Sequence, residues 1–500
     1  MASAPQSGQS GDSGKRQALI GVNDLNYVLP PDLSVSVVRT HTNHYFQQSE
    51  YTNKQRSICI LNTGAHYIDT RQSALEFGVR LTGTDGVNIG GTFGRIGSAL
   101  NLIDSITVTS RAGDELCRLD QADLLHFITT PFRQTSAWME TIGQGMGVAA
   151  IVPDIGMDIN TQYFSIPLYA LVDLFNYGRL IPPMLASGLR ISITWTDPSR
   201  AFILRGRAAV VGTPASDKIT EYTIENPYIS TFAHQLSDGI QRDLNELSAT
   251  NGLELVYCDW EPTEISYGAA ATLSAQLEVR KAASRALQAI AVTRRTADIN
   301  DKAVDSYASK IWDVSKYQWQ LGSLYFPQQP VLANGTIGLN GTANSRTAAI
   351  LAESYKHTLI SFGKYKPEGG TITSAAVPFR ESANYLLDHN SSRLPAGDTG
   401  VDQTAWKELG SASEILHGSR DSQNGKWGTF SNGMSVIGVQ LERTDLFNMS
   451  GVPINNARVL SLRTTYDEFL AGDPTARTLT IFLKYVRLAR CFLNNVEVEQ

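Results

Sequence analysis

The sequence predicts an all-β chain made of two sandwiches in tandem. Three observations carry that prediction. Apolar and polar residues alternate with period two in many short runs, which is the mark of strands with one buried and one wetter face. Turn-forming residues separate the runs, with 41 glycines and 19 prolines, and almost no stretch has long helical spacing. The 500 residues exceed what one sandwich holds, so two hydrophobic cores fit better than one.

Taken in order, residues 1–30 are expected to form a flexible arm, because the first sixteen are almost all Gly, Ser, Gln, Ala and Pro. The alternation then begins. Leu33, Val35 and Val37 form one set, Phe77, Val79 and Leu81 another, and Ile106 and Val108 a third. Leu189, Ile191, Ile193 and Trp195 complete the first half. "ITVTSRAGDELCRL" reads as a hairpin in which Gly113 supplies the positive φ. "QADLLHFITT" follows, with Leu124, Leu125 and Ile128 at helical spacing. "YALVDLFN" (169–176) is expected to be a short apolar helix. The second half repeats the grammar in Leu273–Val279, in Tyr317, Trp319 and Leu321, and in Leu479, Ile481, Leu483 and Tyr485. Asp173-Leu174-Phe175-Asn176 recurs as Asp445-Leu446-Phe447-Asn448, each copy followed by a proline and a strand, which supports a repeated unit. The turn-rich "TPASDK" (213–218) suggests the boundary, and the polar segments 331–348 and 388–403 read as long exposed loops.

Composition narrows the function. A net charge of −6 argues against a nucleic-acid wrapper, with Lys15 and Arg16 the only cations of the arm. Cys59, Cys117, Cys258 and Cys491 lack metal-ligand spacing and read as reduced core residues. The N-terminus has no apolar run and no stretch is long enough to span a membrane, so synthesis in a reducing cytosol is expected. The Asn-x-Ser/Thr matches at Asn334, Asn340, Asn390 and Asn448 then carry no glycans.

Every candidate for chemistry lacks a required part. "GVNIGGTFGRIG" (86–97) has no lysine to meet a phosphate and reads as a flexible loop, as does "GQGMG" (143–147). Asp388, Asn390 and Ser392 resemble the start of a calcium loop, but Arg393 replaces the turn glycine and Thr399 the bidentate carboxylate. His41 and His44 point to opposite faces of a strand and make no zinc site. Asp467 and Glu468 are adjacent and diverge, unlike carboxylates set across a cleft. Arg294 and Arg295 are expected in a surface salt bridge or subunit contact. No catalytic, cofactor-binding or metal residue is assigned, and no cofactor.

The stretch Phe164–Trp195 is similar to a segment of the double jelly-roll major capsid proteins of DNA viruses. The resemblance rests on Phe164, Ile166, Pro167 and Leu168, then Phe175 and Asn176, Pro182, and the strand Leu189–Trp195. "SALNLIDSITVTSRAGDEL" (98–116), "WQLGSLYFPQQPV" (319–331) and "SGVPINNARVLSL" (450–462) resemble further segments of that family. The size points to its smaller members, resembling those of polinton-like viruses and virophages. The resemblance implies two tandem eight-stranded jelly rolls with short helices and long surface loops, divided here as an arm (1–30), a first jelly roll (31–215) and a second (216–500). It implies a non-enzymatic capsid protein, synthesised in the host cytoplasm and residing in the virion. Homotrimers with a pseudo-hexameric outline would tile an icosahedral shell beside neighbouring capsomers and minor capsid or penton proteins. The arm would face an inner membrane or the genome. Two other readings stay open: a β-sandwich carbohydrate-binding protein or glycosidase, with Trp406 and Trp427 in an aromatic cleft, and a double jelly-roll assembly scaffold absent from the mature virion.

Overall fold

The computed structural model describes residues 36–83, 89–93, 98–147, 151–152, 161–206, 219–267, 274–296, 299, 307, 314–337, 347–350, 352–365, 436–441, 451–466, 476–492 and 496–499, apart from 136, 139–140, 177, 179, 333 and 456. The arm, the boundary stretch 213–218, the loop 388–403, the second Asp-Leu-Phe-Asn copy, Asp467, Glu468, Trp406 and Trp427 lie outside the described residues.

Sixteen strands form the frame. The first eight are β1 (Ser36–Tyr45), β2 (Arg56–Ile60), β3 (Tyr67–Gly83), β4 (Ile103–Thr109), β5 (Glu115–Asp120), β6 (Gln162–Pro167), β7 (Arg190–Trp195) and β8 (Ile219–Leu236). The next eight are β9 (Leu253–Tyr267), β10 (Ser274–Val279), β11 (Ala283–Arg295), β12 (Val314–Leu321), β13 (Leu324–Leu332), β14 (Ile437–Gln440), β15 (Leu460–Tyr466) and β16 (Arg477–Cys491). The first unit has sheets ordered β1-β8-β3-β6 and β2-β7-β4-β5. The second has β9-β16-β11-β14 and β10-β15-β12-β13. Adding eight to each first-unit strand number gives the second unit. Within each unit the first strand pairs with the eighth, the second with the seventh, the third with the sixth and the fourth with the fifth, all antiparallel. That nested pairing, wrapped into two facing sheets, is the jelly roll.

The alternation in the sequence places the cores. Leu75, Phe77, Val79 and Leu81 of β3 and Ile191, Ile193 and Trp195 of β7 are buried in the first sandwich. Ala275, Leu277 and Val279 of β10 meet Tyr317, Trp319 and Leu321 of β12 in the second. The β4–β5 turn forms as expected: Gly113 has φ +99°, and the Ser110 hydroxyl donates to the Asp114 carboxylate at 2.9 Å. Helix α1 (Ala122–Arg133) buries Leu124, Leu125 and Ile128.

Four expectations need correction. The polar segment 331–348 is not all loop: Asn334–Ile337 pairs antiparallel with Thr347–Ile350 as backbone groups find partners in a hairpin. A division at 215/216 puts strand β8 in the second unit, but β8 pairs with β1 and β3 of the first. The change of unit falls between β8 and β9, across helix α2 (Asp238–Thr250), which the sequence reading did not foresee. Turn residues mark where a strand stops; they do not say which sheet the next strand joins. The stretch 169–176 is two short turns, Leu168–Leu171 (α) and Asp173–Asn176 (3₁₀), because Val172 between them is extended at φ −142°, ψ 148°. Part of the glycine-rich stretch is a strand, Ile89–Thr92, paired with Ile203–Gly206, and Phe93 beyond it is core.

Candidate functional site at the junction of the two sandwiches

Dense clusters of charged and aromatic side chains lie where the first unit meets the second. Asp173 opens the short turn after β6, in the middle of the apolar run "LVDLF". Its carboxylate accepts from Arg133 Nη2 of α1 at 3.0 Å and from Trp260 Nε1 of β9 at 3.1 Å, and Lys484 Nζ of β16 stands 4.0 Å away. The Arg133 and Lys484 cations also lie over the Trp260 ring, 5.4 and 5.6 Å from its centre. Burial alone would raise the Asp173 carboxyl. The two cations and the two hydrogen bonds outweigh it and hold it at about 2. Two residues from each unit thus meet at one carboxylate and its aromatic lid.

A second cluster lies along β5 and β9. Arg487 of β16 donates to Asp259 Oδ2 at 2.8 Å and to the Glu115 carbonyl of β5 at 3.2 Å. The Tyr257 hydroxyl donates to the Leu116 carbonyl. Burial pushes Asp259 up to about 6 even with Arg487 beside it. A third cluster sits at the start of α1, where buried Asp123 pairs with Arg200, and Tyr307 donates to the same carboxylate at 3.0 Å. Gln121 reaches across to Glu264 Oε2 at 2.8 Å, and Arg294 lies 3.6 Å from that oxygen. Around these pairs the packing is apolar. Phe132 of α1 stacks on Phe362 of the second unit at 4.5 Å, and Phe127 on Tyr307 at 5.0 Å. Ile290, Val292 and Phe482 join the same continuous apolar cluster as the first sandwich. The alternate residues of β16, Leu479, Ile481 and Leu483, belong to the second core.

This arrangement locks two units together. The carboxylates are held by arginine, lysine, tyrosine and indole donors, and among the described residues no three His, Cys, Asp or Glu side chains are grouped to hold a metal ion. The thiols of Cys59 and Cys491 are pushed up to about 12 by burial, far from nucleophilic character. His41 and His44 stand on opposite faces as expected. His41 is exposed, with Nε2 2.6 Å from the Ser230 hydroxyl, while His44 is buried with Nε2 2.9 Å from Thr231 Oγ1. Arg294 corrects the expectation of a surface pair: it is almost wholly buried in the junction. In "GQGMG", Gly147 has φ +73°, and a Cβ there would come within 2.4 Å of the Phe164 ring, so the glycine serves packing. The sequence reading missed Asp173, Asp259 and Arg487. The signal was there, since each is a charge inside a run of apolar residues.

No protein-family model matches the sequence, and no curated protein does. Solved structures do match. The chain is similar to a chain of the PBCV-1 virus capsid quasi-atomic model, with TM-score 0.54, 9% identity, and 95% of this chain and 99% of that one covered. It is similar to a chain of the Sputnik virophage structure, with TM-score 0.53, 8% identity, and 95% and 90% covered. It is also similar to the Faustovirus major capsid protein, with TM-score 0.50, 7% identity, and 95% and 94% covered. At such identities the likeness speaks of architecture, and with the strand order above it establishes that this chain folds as two tandem eight-stranded jelly rolls, a double jelly roll.

Proposed function

We propose that the protein is the structural major capsid protein of a DNA virus, with no catalytic role. The observation that carries this reading is that a chain framed by sixteen strands in two copies of one topology is similar to capsid chains over 95% of its length. The junction supports it, because its buried charges are spent on fastening two units. Three chains around an axis would place six similar units in a ring, and one chain would then tile a hexagonal lattice. Neighbouring capsomers and minor capsid or penton proteins are the partners, and the arm 1–30 reaches inward to a membrane or genome. The working division into units is 36–236 and 253–499, with α2 between them. The protein resides in the virion after synthesis in the host cytoplasm. Sedimentation of the purified protein tests the reading. Three times the 54.5 kDa chain mass is expected, and a stable monomer at micromolar concentration overturns it.

A further inference from the structure

We infer that residues 18–29 of the arm fold back along the apolar side of helix α2 in the same chain. The contact lies within one chain and does not depend on assembly. It leaves residues 1–16 as the part of the arm that reaches inward.

Helix α2 is thinly covered for its sequence. Its 13 residues are too few for a stable helix in water without packing. Both ends are fastened. Leu236 at the end of β8 is buried, and beyond the helix Gly252 sits against the Phe492 ring. In the last turn the Ser248 hydroxyl donates to the Cys491 carbonyl at 2.9 Å, and Ser248 is the only fully buried side chain of the helix. Ile240, Leu244 and Leu247 fall at i, i+4 and i+7 and so form one stripe. Ile240 and Leu244 are half-buried, and Leu247 is 43% exposed. Such a stripe is the side on which a helix packs, and here it lacks a full cover.

The arm joins the frame beside this helix. Ser36, the first residue of β1, pairs with Leu236, two positions before the first residue of α2. Upstream of β1 the sequence changes character. Residues 2–16 have no large apolar side chain, whereas eight of the twelve residues 18–29 are apolar, among them Leu19, Ile20, Leu25 and Tyr27. A stretch so apolar gains by leaving water, and the α2 stripe begins only four residues beyond Leu236. Reach is sufficient, since twelve extended residues span about 40 Å and thirteen helical ones about 20 Å. Pro30 and Pro31 stand between the segment and β1, where the chain has to turn. Charge agrees as well. Helix α2 exposes Asp238, Asp243 and Glu246 against one cation, Arg242, while Lys15 and Arg16 precede the apolar segment. A segment running from the start of α2 towards its end brings those two cations to the helix C-terminus, where positive charge is favoured.

Photo-crosslinking of the full chain tests the contact. A benzophenone amino acid placed at position 247 is expected to attach to residues 18–29, with the product running at the mass of one chain in denaturing electrophoresis. Attachment at twice that mass would make the occupant the arm of a second copy. Attachment elsewhere, or none, would remove the arm from α2. Either result overturns the proposal. Hydrogen exchange gives a second measurement that leaves the helix unaltered. Leu25→Asp with Tyr27→Asp changes only the arm, so the sandwiches keep their own packing, and exchange of the α2 amides is expected to quicken about tenfold. Unchanged exchange in α2 overturns the proposal. So does an equal rise across β3 and β16, which would report general loosening in place of a lost cover.

Discussion

The sheets β1-β8-β3-β6 and β9-β16-β11-β14 share one topology, yet their outward faces differ. Both turn an apolar set inward. In the second, the alternate residues are also buried: Ile290, Val292, Thr480 and Phe482 pack under the first unit. In the first, the outward residues of β3 and β8 include Glu76, Gly78, Arg80, Thr223 and Glu225, with Arg80 paired to Glu225 at 2.7 Å. A shared backbone frame therefore does not fix what a face meets. The identity of every second residue does, because the pleat sends alternate side chains to opposite sides.

That comparison can be broken experimentally. The largest effect is expected in the covered sheet. Arg487→Ala leaves Asp259 buried without its cation and should cost about 3–5 kcal/mol in denaturant unfolding. Phe482→Ala should cost a similar amount, about 3–5 kcal/mol, since the side chain is fully buried between the units. A loss below about 1 kcal/mol for either would mean that the junction contributes little to stability.

Next in size is a pH effect. Asp173 titrates at about 2 in the folded chain against an ordinary value of 3.8. A carboxyl depressed on folding gives stability that is present above its ordinary value and lost as pH falls through the folded one. Between about pH 4 and pH 2 the chain should lose about 2 kcal/mol on this account. Asp173→Asn should remove that part of the slope, so the stability difference between unaltered and variant protein must shrink as pH falls. A difference that stays constant with pH would assign the Asp173 contacts no electrostatic role.

The smallest effects belong to the open sheet. Tyr163→Ala should change the stability of the unassembled chain by no more than about 0.5 kcal/mol, its ring being 69% exposed. Arg80→Ala should cost less than about 1 kcal/mol, because its pair is partly solvated. Thermal melts of monomeric protein measure both. A large loss in either would mean that this face already has a partner within the chain.

Much of the fold was readable from local pattern. Ile191, Ile193 and Trp195 announce a strand with one buried face, and Gly113 announces the turn between β4 and β5, because both signals act over a few residues. The repeated Asp-Leu-Phe-Asn led to a sound equivalence: β7 follows the first copy and β15 the second, and they hold the same place in their units. The site was less readable. Asp173 finds Trp260 across 87 positions of sequence, and Arg487 reaches the Glu115 carbonyl across 372. No local rule connects residues so far apart. A charge within an apolar run, as in "LVDLF" or "KYVRLAR", says that a partner must exist and does not say which.

Neighbouring residues were enough to show that the frame is β, which side chains turn inward, and that one kind of unit occurs twice. These follow from period-two alternation and turn chemistry, which are properties of neighbouring residues. Three outcomes came only with the folded chain: β8 closes the first unit, Arg294 is buried, and among the described residues only one of two equivalent sheets is covered on both sides. Those outcomes depend on which distant strands pair and which surfaces then meet, and nested pairing of the first strand with the eighth joins residues that no local signal links.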